Sequence, residues 1–241
     1  MPNGQPQHIV RSFEEDLKRL REMIARMGGI AERQVADSAE ALIRRDTDLA
    51  AEVVHRDVQL DEMEREVEQF CVRLLALRQP LAGDLRMIVA CMKISQDLER
   101  IGDYARNGAK RAIVVSQQPS LGSLNGFERM AELVQENLKD AIDALVEDDA
   151  AKADAVWAND APIDGIYNGI FRELLTFMME DPRNITAATH LLFIAKNMER
   201  IGDHATNIAE RVHFAVLGQP LAEERPKADV STSAVVRAPG E

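Results

Sequence analysis

The sequence predicts an all-α protein: six helices in two tandem, pseudo-symmetric three-helix bundles. Three observations carry that expectation. The apolar residues recur with helical period through most of the chain. Pro, Gly and paired Asp residues punctuate that period at intervals suited to long helices. A motif in the third helical stretch returns in the sixth.

The first helix spans 8–45. Phe13, Leu17, Leu20, Ile24, Met27, Ala31, Val35, Ala39 and Leu42 step by three and four, one stripe of an amphipathic helix suited to bundle packing. Asp46-Thr47 ends it, and the second helix runs over 48–79 to Gln79-Pro80-Leu81-Ala82-Gly83. The third spans 83–117 and stops before Pro119 and the Gly122–Gly126 stretch. The fourth covers 125–147, the fifth 150–180 after Asp148-Asp149, and the sixth 184–217 after Asp181-Pro182. Gly218-Gln219-Pro220 closes the last. Residues 1–7 read as a flexible N-terminus. The stretch 221–241, rich in Pro, Ser, Thr, Glu and Ala without helical period, reads as a disordered tail.

The halves are related. Glu99-Arg100-Ile101-Gly102-Asp103 recurs as Glu199-Arg200-Ile201-Gly202-Asp203, and nine of the thirteen positions over 99–111 agree with 199–211. Upstream, residues 41–61 align with 144–164: Asp46, Ala50, Val53, Asp57 and Asp61 return as Asp149, Ala153, Val156, Asp160 and Asp164. The offset shifts from 103 to 100 at the turn carrying Pro80 and Pro182, where insertions are tolerated. The chain is therefore two copies of a three-helix unit, 8–120 and 121–220.

Composition narrows the function. With 241 residues, 46% of them apolar, the chain can bury a core without disulfides or zinc. A net charge of −12 argues against nucleic acid, whose phosphates demand a surplus of Lys and Arg. It argues equally against electrostatic docking on anionic lipid. No signal peptide or spanning run is recognisable. Cys71 and Cys91 sit in apolar helical stretches without metal-ligand spacing and read as buried thiols in a reducing cytoplasm. Long amphipathic helices lean towards a homodimer.

The recurring acids are the candidate site. Asp57 and Asp61 share a helix face, as do Glu99 and Asp103, and Asn107 extends the second stripe by a turn. Counting back from the turn at 80–83 puts the two pairs at one height on antiparallel helices. The same count joins Asp160 and Asp164 to Glu199 and Asp203, with Asn207 beyond. Like charges at i,i+4 cost about 0.2–0.5 kcal/mol, and a cation would relieve them. Oxygen donors suit Mg²⁺, Mn²⁺, Ca²⁺ or iron. A solvated acidic face is the other reading, because unrepeated acid pairs such as Glu64/Glu68 occur as well. Arg100 and Arg200 serve either as helical ion-pair partners or as counter-charges to the acids. Gly102 and Gly202, costly in mid-helix, mark a close approach by the neighbouring helix or by metal-bound solvent.

A duplicated three-helix unit with Asp-x-x-x-Asp followed by Glu-Arg-Ile-Gly-Asp-x-Ala-x-Asn resembles the PhoU family. The opening helix is similar too, with His8 and Phe13 leading into Met27-Gly28-Gly29-Ile30-Ala31-Glu32. The resemblance implies a pair of three-helix bundles whose acidic motifs bind iron or zinc in some members. It also implies a cytosolic negative regulator of phosphate uptake and starvation signalling. Its implied partners are the ATPase subunit of the phosphate ABC transporter and the phosphate-sensing histidine kinase.

One departure is Pro162, between Asp160 and Asp164, where the first repeat has Gln59. Either the fifth helix bends there or a new helix starts with Pro162 in its first turn. Two competing functions remain at this level. Glu52-x-x-His55 and Glu210-x-x-His213 match part of a carboxylate-bridged di-iron enzyme site, although they fall at non-equivalent places in the repeats. His204, beside Asp203, is a further candidate ligand. A helical adaptor without metal is the other alternative.

Overall fold

The computed structural model describes residues 5–122 and 124–221. The expected disordered tail lies outside them, apart from Leu221, as do residues 1–4. Among the described residues the chain forms α1 (Gln5–Arg44), α2 (Thr47–Arg56), α3 (Val58–Arg78) and α4 (Ala82–Ser116) in its first half. The second half holds α5 (Asn125–Glu147), α6 (Ala150–Ala158), α7 (Ala161–Glu180) and α8 (Ile185–Leu217), with a 3-10 turn at Pro182–Asn184 before α8. No strand occurs among the described residues. The first helix begins at Gln5, so part of the segment expected to be flexible is helical.

The stripe read from the first helix is the buried one: Leu20, Ile24, Met27, Ala31, Val35, Ala39 and Leu42 are all core residues. The repeat extends to the turns. Asp46 caps α2 by accepting hydrogen bonds from the Asp48 and Leu49 amides. Its counterpart Asp149 caps α6 by accepting from Lys152 N–H. Each cap follows a residue in the left-handed region, Arg45 at φ 56° and Asp148 at φ 54°. Asp46 N–H and Asp149 N–H return to the Ala41 and Ala144 carbonyls, both at 2.9 Å.

Two of the six expected helical segments carry an internal break. The second and the fifth are each two helices, broken at Asp57 and at Asn159–Asp160. Pro162 lies in the first turn of α7, where a missing N–H costs nothing. The equivalent break stands in the first repeat without a proline, since Gln59 occupies that position. The interruption therefore belongs to the fold and is not imposed by Pro162. Each break also opens a helix N-terminus beneath an acid: Asp57 and Asp160 precede α3 and α7, and Asp61 and Asp164 lie in their first turns. Negative charge is favourable there.

Each repeat is a three-helix bundle, of α1, α2/α3 and α4 in one half and α5, α6/α7 and α8 in the other. The halves are not separate beads. α1 packs on both α4 and α5, and α8 packs on both α4 and α5, so these four helices form a continuous centre. One hydrophobic cluster runs through it, from Leu20 and Leu98 to Leu138 and Ile208. The broken helices flank this centre, each against the outer helices of its own repeat. A small separate cluster of Ala41, Ala50, Val53 and Ala109 seats α2.

The repeated glycines have a packing cause. A Cβ on Gly102 would meet Leu60 Cδ1 of α3 at 2.4 Å, and one on Gly202 would meet Ile163 Cδ1 of α7 at 3.0 Å. The close approach is by the neighbouring helix.

Candidate functional site

The recurring acids fall where α3 passes α4 and where α7 passes α8, but the two repeats treat them differently. Asp57 is buried at the α2–α3 break. Its Oδ1 accepts a hydrogen bond from Gln34 Nε2 of α1 at 2.9 Å. Its Oδ2 pairs with the Arg106 guanidinium of α4. Arg106 also holds Asp103 Oδ1 at 2.6 Å, so a side-chain cation bridges two of the four acids. Burial still pushes the Asp57 carboxyl above the usual range, with Arg106 and Gln34 opposing the rise.

Glu99 and Asp103 stay on the open side of α4. They share a hydrogen bond, and Asp61 of α3 is close enough to add its charge. Burial first and the Asp103 charge second push the Glu99 carboxyl up to about 7, against the pull of Arg100. Arg100 lies 3.5 Å from both Glu99 Oε2 and Asp103 Oδ2, a loose and exposed pair. A cavity of about 480 Å³ opens here, lined by Asp61, Glu64, Arg65, Gln96, Glu99 and Arg100. Asn107 is half-buried one turn further along.

In the second repeat Thr206 stands where the first has Arg106. Its hydroxyl lies 3.2 Å from Asp160 Oδ1 and 3.1 Å from the Gly202 carbonyl. The internal cation has moved: Lys196 Nζ, where the first repeat has Gln96, holds Glu199 Oε1 at 2.8 Å. The same ammonium lies 4.9 Å above the Tyr167 ring. Asp160, Asp164 and Glu199 are all buried. Glu199 Oε2 is buried without a hydrogen-bond partner. Burial raises the Glu199 carboxyl above its ordinary range, and Asp203 and Asp164 add to the rise against Lys196. Asn207 is half-buried, like Asn107.

The structure thus brings Asp61, Glu99 and Asp103 into one electrostatic group and Asp164, Glu199 and Asp203 into another. Asp57 and Asp160 face inward to protein donors. Among the described residues, no three His, Cys, Asp or Glu side chains are grouped as a metal site. The donor chemistry nevertheless suits a hard cation. Mid-helix Glu99/Asp103 and Glu199/Asp203 have no helix terminus to stabilise them, and an orphaned carboxylate oxygen is buried in the second group.

Sequence spacing missed Gln34, Arg106, Lys196 and Thr206. Gln34 carried a signal: it is a polar residue beside the apolar stripe, and Asn137 stands at the same register in the second repeat. Asn137 is buried too and exchanges hydrogen bonds with Asn159 at the equivalent break.

The histidine motifs do not assemble. His55 is exposed. Glu210 accepts from Trp157 Nε1 at 3.1 Å, whereas His213 pairs with Asp154 at 2.5 Å. His204 turns away from the acids and pairs with Asp97 of α4 at 2.9 Å. Arg200 lies 5.7 Å from the centre of the Tyr104 ring. Both cysteines are free and buried. No described helix is long and apolar enough to cross a membrane.

Comparison with known proteins agrees with this duplicated architecture. The family model described as the PhoU domain matches twice, over residues 24–112 and 127–212. A protein of Caulobacter vibrioides (strain NA1000 / CB15N), named phosphate-specific transport system accessory protein PhoU homolog, is 53% identical over 225 residues, 93% of this chain and 98% of its own. A Rhizobium meliloti (strain 1021) protein of the same name is 47% identical over 227 residues, 94% and 96% of the two chains. The crystal structure of PhoU from Pseudomonas aeruginosa superposes with a TM-score of 0.82 at 41% identity, covering 86% of this chain and 100% of that one. The phosphate transport system regulatory protein PhoU from Streptococcus pneumoniae also gives 0.82, at 27% identity, covering 88% and 100%.

Proposed function

The chain belongs to the PhoU family, and from that premise we propose that it is a cytosolic, metal-binding adaptor that restrains phosphate uptake and phosphate-starvation signalling. The coarser part follows from its relatives: it is an accessory protein of the phosphate-specific transport system, a regulator and not an enzyme. The finer part names two partners, the ATPase subunit of the phosphate ABC transporter and the phosphate-sensing histidine kinase, and a homodimer as the working form.

The observation that carries the metal reading is the repeated mid-helix acid pair. Glu99 is pushed up to about 7 beside Asp103, and Glu199 buries an unpartnered oxygen beside Asp203. Such groups carry a standing electrostatic cost. A cation would be held by Asp61, Glu99 and Asp103 in one repeat and by Asp164, Glu199 and Asp203 in the other, with Asn107 and Asn207 as outer donors. Iron or zinc is the family expectation, and Mg²⁺, Mn²⁺ or Ca²⁺ also suits these oxygens. The bound charge would supply a tie between α3 and α4, and between α7 and α8. Asp57 and Asp160 would act from behind: their bonds to Gln34, Arg106 and Thr206 fix the breaks from which α3 and α7 start.

Deleting the gene in its own organism tests the regulatory role. Phosphate-starvation genes should then be expressed in high phosphate. Unchanged repression would remove the proposal.

A further inference from the structure

A second cavity, remote from the acidic clusters, lies where the start of α4 meets the end of α8. It measures about 320 Å³ and is lined by Arg86, Val89, Ala90 and Lys93 of α4, Glu210, Arg211 and Phe214 of α8, and Pro220 and Leu221 beyond it. In a chain of net charge −12, three cations around one cavity are unexpected.

Their pairing is uneven. Arg211 is consumed by Asp97, its Nε 2.5 Å from Oδ2. Glu210, the one acid in the lining, is bound to Trp157 Nε1. Among the described residues, Arg86 and Lys93 have no carboxylate partner. Arg86 is held in place nonetheless: its guanidinium lies against Gly218, where a Cβ would meet Arg86 Cζ at 3.0 Å. Gly218 is at φ 74° as the left-handed cap of α8, so the glycine serves both the turn and the stacked guanidinium. Arg86 Nε is buried without a partner. Lys93 is two turns along the same face, about 10 Å further by helix rise.

The pseudo-symmetric location shows the contrast. There Thr186 replaces Arg86 and Phe193 replaces Lys93. Arg111, the counterpart of Arg211, stacks on the Phe193 ring at 4.2 Å and reaches His190 Nδ1 at 3.4 Å. At that end Arg111 is satisfied internally and Lys110 stands where the α4-start end has Glu210, whereas the cations Arg86 and Lys93 have no counterpart there.

We propose that this cavity binds a phosphate dianion, free or as the monoester of a small molecule. A planar guanidinium fork and a flexible ammonium suit a doubly charged oxyanion. Val89, Phe214, Pro220 and Leu221 supply an apolar wall for the body of an ester. The volume matches the small end of ligand pockets.

Calorimetric titration of the full-length protein with inorganic phosphate and with AMP, at low salt and with EDTA present, tests this independently of any metal. Lys93→Gln is the primary variant because Lys93 is exposed and its removal leaves the fold intact. Arg86→Gln is the second, and Lys18→Gln, on an exposed turn of α1, is the control. Saturable binding that weakens about tenfold in both cavity variants and is unchanged in the control supports the site. AMP binding the tighter assigns an ester, and equal or weaker AMP binding assigns free phosphate. No saturable binding of either probe, or binding unaffected by Lys93→Gln, overturns it.

Discussion

Arg106 of α4 forms an ion pair with Asp57 at the break between α2 and α3, and in the second repeat the Thr206 hydroxyl stands in its place against Asp160. Asp57 is 3% exposed, so its charge depends on this partner and on Gln34. Arg106→Ala should cost on the order of 3 kcal/mol at pH 8, as expected when half of a buried pair is removed. The cost should shrink as pH falls, because the stranded Asp57 can take up a proton. Chemical denaturation at pH 8 and pH 5 measures both. Equal loss at the two values would mean that Arg106 acts through packing alone.

Glu99 gives a prediction of opposite sign. Its folded carboxyl is raised to about 7 from an ordinary 4.5. The folded protein therefore holds a proton that the unfolded chain has released, and stability drains away as pH rises from 4.5 through 7. Glu99→Gln should raise Tm at pH 8 in EDTA, with the gain vanishing towards pH 4.5. A gain independent of pH would contradict the assigned cause.

Two glycines should answer differently to the same substitution. Gly102→Ala would drive a Cβ into Leu60 and should destabilise by about 1–3 kcal/mol despite the better helix former. Gly29 of α1 has nothing within 4 Å of its Cβ position, so Gly29→Ala should stabilise by up to about 1 kcal/mol. Thermal melts of the pair decide. A stable Gly102→Ala would mean that α3 can move off α4.

Cys71 and Cys91 should be inert while the protein is folded. Burial pushes both thiols up to about 12, and Cys71 Sγ donates to the Ile88 carbonyl at 3.7 Å. Iodoacetamide at pH 8 should modify neither until urea is added. Rapid labelling of the native protein would contradict their placement.

Much of this was legible in the sequence because it is local. The α1 stripe, the breaks at Asp46 and Asp149 and the repeated glycines follow from spacing within one helix or one turn. The break at Asp57 was not legible: no proline marks it, and Asp57 keeps helical dihedrals of −53° and −36°. Nor were the long-range choices. That Arg106 reaches Asp57, 49 residues away, and that Asp97 takes Arg211 and His204 from the other repeat, depends on which helices pack together. Spacing shows which residues share a face, but not which distant helix that face meets. Spacing places the acids on facing helices but does not show the charges that accompany them, because Arg106 and Lys196 enter at non-equivalent positions.

The metal content of tag-free protein, with Asp103→Ala and Asp203→Ala beside it, tests the central claim most directly. Stoichiometric metal in the parent, lowered in each variant with both still folded, is the result this account predicts. No bound metal, or metal unchanged in both variants, would contradict it and leave the acids as structural groups of a helical adaptor.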